Sequence, residues 1–297
     1  MIEIVTSDLT DSPLDLSRFK VIVCAGGGNR CWWQAGLLRV LADHGLGLPP
    51  MLVGTSAGAA IATAWATRSI DRAFESCKRL YGQNAQVFRW RPKMHEARFA
   101  QTLIYPEWVG SVLDKSGYEA LLGLSSKLTI AVTRPSLWLG PRISVALATL
   151  AYMTDKAFGG KLHPATLARL GLSHEFFVLQ ESTDLKEAHR LLVAAAAAPP
   201  FIPGQTLVDQ KAFDGGYVDS MPIDPQSALR STLILMTRHR PELPVRFKHN
   251  GRTYWQPSAP VPVSTWDCTP SATVDLAFQL GQTDASNALA SDSVQVT

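Results

Sequence analysis

Gly54-Thr55-Ser56-Ala57-Gly58 sets a hydroxyl nucleophile between two glycines. It follows a short apolar run, Met51-Leu52-Val53, and opens a run of small, helix-compatible residues from Ala57 to Ala66. A serine between glycines at a strand-to-helix turn is the nucleophile-elbow pattern: the turn is too sharp for bulky neighbours, and the hydroxyl projects from it. The helix that follows directs its positive end toward an oxyanion forming nearby. Ser56 is therefore the candidate nucleophile.

A serine needs a base, and the oxyanion it creates needs donors. Donors are available in Gly26-Gly27-Gly28-Asn29-Arg30, where consecutive backbone N–H groups can turn toward one point without obstruction by side chains. The same run is not a dinucleotide fingerprint, because Cys31 stands at the sixth position, and no G-x-x-x-x-G-K-[ST] occurs. Two readings of the base stand at this point. His239 or His249 with Asp214 as the acid keeps the order Ser, acid, His. Alternatively Asp214 acts itself: Gly215-Gly216 allow its carboxylate to approach another segment closely, although the same letters also suit a purely structural Asx turn. The Arg30 guanidinium suits a lipid phosphate and equally suits a bridge that holds the glycine loop. Cys31 has no histidine near it in sequence to activate it as a rival nucleophile.

These residues must be carried by alternating strands and helices. Apolar runs at 19–25, 51–53, 128–132, 176–179 and 233–236 read as strands. Helical spacing or composition covers about 32–44, 57–66, 70–81, 142–158, 186–198 and 271–280, with 83–126 helical in pieces and 257–270 irregular. The pattern is that of an α/β protein with a mainly parallel sheet between helical layers. Ile143 to Met153 reads as a buried helix, since polar residues are scarce on every face; a lid or membrane-contacting helix is the alternative. Among Trp32, Trp33, Trp90, Trp108 and Trp138, core packing is the expected role for most, with an acyl-binding or interfacial surface as the other use.

Composition excludes several classes. The 297 residues are 46% hydrophobic and 18% charged, an ordinary globular profile. A net charge of +3 without any Lys/Arg block gives no case for nucleic acid and allows weak attraction to an anionic lipid surface. No signal peptide is evident at Met1–Asp8, and Ile143–Met153 is too short to span a bilayer. Cys24, Cys31, Cys77 and Cys268 lack C-x-x-C spacing and read as reduced thiols, so a cytoplasmic location is expected. No H-x-x-x-H pair points to a metal, and nothing demands a cofactor.

Taken together and in order, Gly26-Gly27-Gly28-Asn29-Arg30, Gln34-Ala35-Gly36-Leu37-Leu38, Gly54-Thr55-Ser56-Ala57-Gly58, the small and Pro-containing Ala196–Pro203, and Asp214-Gly215-Gly216 resemble the patatin-like phospholipases. The resemblance is clearest over about 20–68 and 190–237. It implies a three-layer α/β/α sandwich, with 1–18 as an N-terminal extension, 19–240 as the catalytic domain and 241–297 packing on the same domain. It implies a serine lipid acyl hydrolase of phospholipase A or lysophospholipase type, with Ser56 as nucleophile, Asp214 as base and the amides of Gly27 and Gly28, with Gly26, as oxyanion donors. Lipid or acyl-ester substrates and transient membrane contact go with it. An unperturbed Asp has a pKa of about 3.9, so such a dyad relies on close contact, desolvation and strong oxyanion binding. Cys31 departs from the family pattern, which has glycine there. Trp32-Trp33 follow where smaller residues are commoner, and two outcomes stand open: loss of the glycine alters the turn and shrinks the oxyanion pocket, or it is absorbed at the helix N-terminus with ordinary φ. The rival readings are a histidine-assisted esterase or acyltransferase of another α/β fold and a non-catalytic lipid-binding protein.

Overall fold

The computed structural model describes residues 7–10, 15–91, 96–158, 162–163, 170–227 and 231–294. Its strands are β1 (Ser7–Asp8), β2 (Val21–Cys24), β3 (Met51–Thr55), β4 (Phe88–Arg91), β5 (Glu96–Phe99), β6 (Lys127–Arg134), β7 (Ser173–Val178), β8 (Gln205–Leu207), β9 (Gln210–Asp214), β10 (Thr232–Leu235), β11 (Arg246–His249) and β12 (Arg252–Trp255). Its helices are α1 (Cys31–Asp43), α2 (Ser56–Ala66), α3 (Ile70–Gly82), α4 (Gln101–Val112), α5 (Lys115–Leu122), α6 (Gly140–Phe158), α7 (Leu185–Ala195) and α8 (Val274–Val294).

Strands β12, β10, β2, β3 and β6 run parallel in that order and form the centre of one mixed sheet. The innermost of them, β2 (Val-Ile-Val-Cys) and β10 (Thr-Leu-Ile-Leu), are fully buried apolar runs, as expected where both faces are covered. Antiparallel strands finish each edge: β11 and β1 on one side, β7, β9 and β8 on the other. One face, carrying Ile22, Cys24, Leu52, Ile130 and Leu235, packs against α1, α2, α7 and α8. The opposite face, carrying Val21, Val23, Met51, Val53 and Ile234, is closed by Leu162, Met221, Phe176, Ile223 and Leu243. A mostly parallel central sheet flanked by helices is consistent with a three-layer α/β/α sandwich.

The register explains how two distant residues meet. Val132 of β6 faces Glu175 of β7 on one edge and Asp214 of β9 on the other. That second edge is the one β3 occupies as far as Thr55, which faces Ala131. The chain leaves the edge at Ser56, and Asp214 takes up the next place on it.

The structure departs from the sequence expectation in three places, and for two of them the physical cause is plain. A β4–β5 hairpin lies within 83–126, where only helical pieces are expected. The β11–β12 hairpin turns at Asn250-Gly251, both with positive φ, a strong short-range hairpin signal that the surrounding basic residues obscure. Helix α8 runs to Val294 and does not stop before Gly281. That glycine is an approach point: a Cβ there would meet the Trp33 carbonyl and come within 2.8 Å of the Leu37 nitrogen. Asp284, one turn on, accepts the Trp33 indole N–H at 2.7 Å and the Ser258 hydroxyl at 2.5 Å, which locks α8 onto α1. The N-terminal extension lies partly outside the described residues; its β1 pairs with β11.

Gly281→Ala should destabilise the fold by roughly 1–3 kcal/mol or more through overpacking. Gly110→Ala in α4, where a Cβ meets nothing within 4 Å, should be neutral or stabilising by about 0.5–1 kcal/mol. Urea unfolding midpoints of the two variants check the contrast, and equal effects would remove the helix-crossing argument.

Candidate active site

Ser56, the first residue of α2, has φ 53°, the left-handed region that non-glycine residues occupy at a cost of about 1–3 kcal/mol. The flanking glycines make this turn possible by close approach. A Cβ on Gly54 would come within 2.6 Å of the Ala59 Cα, and one on Gly58 within 2.5 Å of the Cys24 carbonyl oxygen. With no side chain in either place, α2 lies directly on β3 and β2, and the Ser56 hydroxyl is presented at the carboxyl end of the parallel strands, where open α/β sheets place their ligands.

The Ser56 hydroxyl donates to Asp214 Oδ2 at 2.6 Å, and both residues are buried. The other carboxylate oxygen, Oδ1, accepts the Gly216 N–H at 2.7 Å. Burial pushes the Asp214 carboxyl up to about 6, against the pull of the Ser56 and Gly216 hydrogen bonds. The turn after Asp214 is clamped from behind. The Gly215 carbonyl faces His174 Nε2 at 2.8 Å and accepts from the Thr133 hydroxyl at 3.3 Å, while Thr55 donates to the Ala131 carbonyl beside it at 3.0 Å. Burial holds the His174 pKa down, so its imidazole is neutral at pH 7.

The glycine loop after β2 faces the same point. The Gly26 peptide is fixed at both ends: its N–H donates to the Ser220 carbonyl at 2.8 Å, and its carbonyl accepts the Thr237 hydroxyl at 2.8 Å. The Gly26 amide is thus committed within the chain, which removes it from the three expected oxyanion donors. The amides of Gly27 and Gly28 have no such acceptor among the described residues. Gly27 passes so close to Thr237 that an added Cβ would lie 2.7 Å from the threonine Cβ. Gly28 has φ +55° and backs onto the Thr265 carbonyl. Asn29 anchors the loop by donating to the carbonyls of Ser264 at 2.9 Å and Asp267 at 2.6 Å, and it accepts from the Tyr81 hydroxyl at 2.8 Å.

Arg30 lies back over this loop, its Nε donating to the Gly27 carbonyl at 3.4 Å. Cys31 begins α1 with φ −65° and ψ −14°, an ordinary helical conformation that needs no glycine. Its thiol is buried, donates to the Ala25 carbonyl at 3.5 Å, and is pushed up by burial, which leaves it unactivated. His239 Nδ1 faces the Pro257 carbonyl, and His249 Nε2 faces the Asn250 side chain. Ser220, Thr237, His174 and Thr133 have no sequence signal of their own, because each acts through backbone that only the fold brings near.

A small pocket opens beside Ser56, with Trp32, Ile61, Tyr105, Trp108 and Trp266 among its walls. Trp32 and Trp108 pack edge-to-face at 5.7 Å between centroids, so core packing and pocket lining coincide in them. Trp33 is wholly core, Trp138 is almost fully exposed, and the Trp90 side chain lies outside the described residues. Among the described residues, no group of three or more His, Cys, Asp or Glu could hold a metal ion.

The raised Asp214 pKa carries a stability consequence. In the unfolded chain the group titrates near its ordinary 3.8, in the folded chain near 6, so the folded state binds this proton more tightly. Its ionisation therefore weakens the fold as pH rises from about 4 to 6, and the full penalty persists above that window. Asp214→Asn should be more stable than wild type at pH 8 by roughly 1–3 kcal/mol, with the gap closing below about pH 4. Denaturant melts at the two pH values measure this, and an equal gap at both would contradict it.

Comparison with known proteins follows the same motifs. Residues 22–225 match the family model for patatin-like phospholipases, a span that holds the glycine loop, the Ser56 elbow and Asp214. No curated protein sequence matches the chain. Among solved structures it is similar to VipD from Legionella pneumophila, with 12% identity and a TM-score of 0.42 over 90% of this chain and 67% of that one. With a family model matching more than half of its length, the chain belongs to the patatin-like phospholipase family.

Proposed function

We propose that this protein is a serine lipid acyl hydrolase that cleaves carboxylic esters through a Ser56–Asp214 dyad. The observation that carries the reading is the buried 2.6 Å hydrogen bond from the Ser56 hydroxyl to Asp214. In the first step Asp214 takes the hydroxyl proton while Oγ attacks the ester carbonyl carbon. The carbonyl oxygen becomes an oxyanion beside the Gly27 and Gly28 amides and the amino-terminal end of α2. Protonated Asp214 then gives its proton to the leaving alkoxide, which departs and leaves acyl-Ser56. A water that loses its proton to Asp214 attacks the acyl-enzyme, and the collapse of that second intermediate returns the proton to Ser56 and frees the acid. The apolar pocket beside Ser56 takes the acyl chain.

Burial supports this use of a carboxylate: a pKa near 6 makes Asp214 a better proton acceptor than an exposed aspartate, while leaving it ionised at neutral pH. No imidazole is needed in the scheme. The ordinary backbone at Cys31 supports an intact glycine loop and weighs against a non-catalytic protein that merely retains the fold.

Ser56→Ala should abolish fluorophosphonate labelling and lower ester turnover by at least ~10³-fold with folding retained. His239→Ala and His249→Ala should each stay near wild type. In the wild type, kcat/KM should rise with pH through about 6 and level off above 7, as Asp214 loses its proton. A collapse of turnover in either histidine variant would sink the dyad.

Thr237→Val removes the donor to the Gly26 carbonyl while keeping the side-chain volume. It should lower kcat roughly 10- to 100-fold by displacing the Gly27 and Gly28 amides, with KM nearly unchanged. A wild-type kcat in this variant would show that the loop is held without Thr237.

A further inference from the structure

Between β6 and α6 lie the most exposed large apolar side chains among the described residues. Leu137 is 91% exposed and Trp138 95% exposed, and the following helix adds Ile143 at 54% and Leu150 at 59%. With exposed Ala146, the helical positions 143, 146 and 150 form one stripe. This corrects the expectation of a buried helix over Ile143 to Met153. Among the described side chains of α6, the inner side is the covered one: Ser144 and Ala148 are buried, Val145 packs against the cluster of Ala148, Phe213 and Tyr217, and the Thr149 and Tyr217 hydroxyls lie 3.4 Å apart.

The exposed tip is braced. The Gly140 N–H donates to the Ser136 carbonyl at 3.0 Å, the Ser136 N–H donates to the Ser144 hydroxyl at 3.0 Å, and that hydroxyl donates to the Gly140 carbonyl at 2.7 Å. These bonds close the turn on itself and hold Leu137 and Trp138 outward. A tryptophan held fully in solvent beside leucine and isoleucine marks a surface that meets an apolar partner.

We propose that this face, Leu137, Trp138, Ile143, Arg142 and Leu150, docks on the surface of an anionic phospholipid bilayer. Charge selects the occupant. The twenty residues from Pro135 to Thr154 contain a single charged side chain, Arg142, which is exposed and suits a lipid phosphate. A two-fold contact between copies of the chain centred on this patch would set Arg142 against its own counterpart, with no acidic residue of the stretch to offset it. Tryptophan belongs at the headgroup level, with its apolar body toward the acyl boundary, and the aliphatic side chains enter that boundary. Position points the same way: Trp266 packs on the same small cluster as Val145 and Ala148 of α6, and it is also a wall of the Ser56 pocket.

The choice of a lipid occupant rests on the acyl-hydrolase reading, so the test separates binding from turnover. Co-sedimentation uses the Ser56→Ala protein with vesicles of phosphatidylcholine containing about 30 mol% phosphatidylglycerol. Adding Leu137→Ser and Trp138→Ser should reduce vesicle partitioning at least ~10-fold, and Arg142→Glu should weaken binding to these vesicles more than to pure phosphatidylcholine. With Ser56 intact, the double variant should keep its rate on a soluble short-chain ester. Unchanged partitioning of the double variant overturns the proposal. So does a wild-type dimer in solution that the double variant converts to monomer, since the face would then join two copies. If Ser56 proves inactive while partitioning still depends on Trp138, the acyl-hydrolase reading fails and the docking surface stands.

Discussion

The strained backbone at Ser56 is the constraint around which the rest of the molecule is arranged. A positive φ at a non-glycine residue persists only where its surroundings over-determine it. Here that work falls to the fully buried small-residue helix α2, laid directly on β2 and β3 by the missing side chains of Gly54 and Gly58. Had α2 carried larger residues, it would stand further from the sheet and the chain could relax out of the turn. The turn also ends the pairing of β3 with β6. Because β3 stops there, the edge of β6 is free at Val132, and β9 fills it with Asp214. One local strain thus fixes both the exposure of the hydroxyl and the position of its carboxylate partner.

The polar groups around this point are held in backbone-to-side-chain pairs that leave few alternatives. Thr237 and Ser220 fix the Gly26 peptide, His174 and Thr133 fix the Gly215 carbonyl, and Asn29 ties the glycine loop to the Ser264–Asp267 segment. Buried peptide groups without partners are costly, so each such pair removes a competing orientation of the loop. The uncommitted amides of Gly27 and Gly28 are conspicuous against that background. Asp214 shows the opposite compromise: a carboxylate placed where ionisation is disfavoured, which trades stability for proton affinity, as functional sites often do.

Much of this frame was legible in the residues. The apolar runs at 51–53, 128–132 and 233–236 lie within or across β3, β6 and β10, and the helical spacing of Ile70, Ala73, Phe74, Cys77, Leu80 and Tyr81 is the buried face of α3. The sharp turns at the elbow and at Asp-Gly-Gly could be read because each depends on local backbone geometry, which restricts residue type. Thr237 could not, since a threonine after a strand has countless uses until the fold sets it against Gly26. Gly281 misleads for a related reason: glycine stops a helix locally, but here the local penalty is outweighed by the close crossing of α1 and α8. The α6 segment misleads in the other direction. Its lack of charge reads as burial, and only its packing shows that one side faces outward.

Cys31 shows why position within an element matters more than agreement with a motif. A glycine at this place is useful only if the loop must bend there or if something approaches the backbone. In this chain the bend is completed earlier, at Gly28, and Cys31 already has helical angles. Its Cβ points into the buried layer, where the thiol finds the Ala25 carbonyl, and Trp32 and Trp33 continue the helix into the pocket wall and the α8 contact. The large residues after the loop are therefore compatible with its curvature, because they act on the helix that anchors the loop and leave the amides of Gly27 and Gly28 untouched.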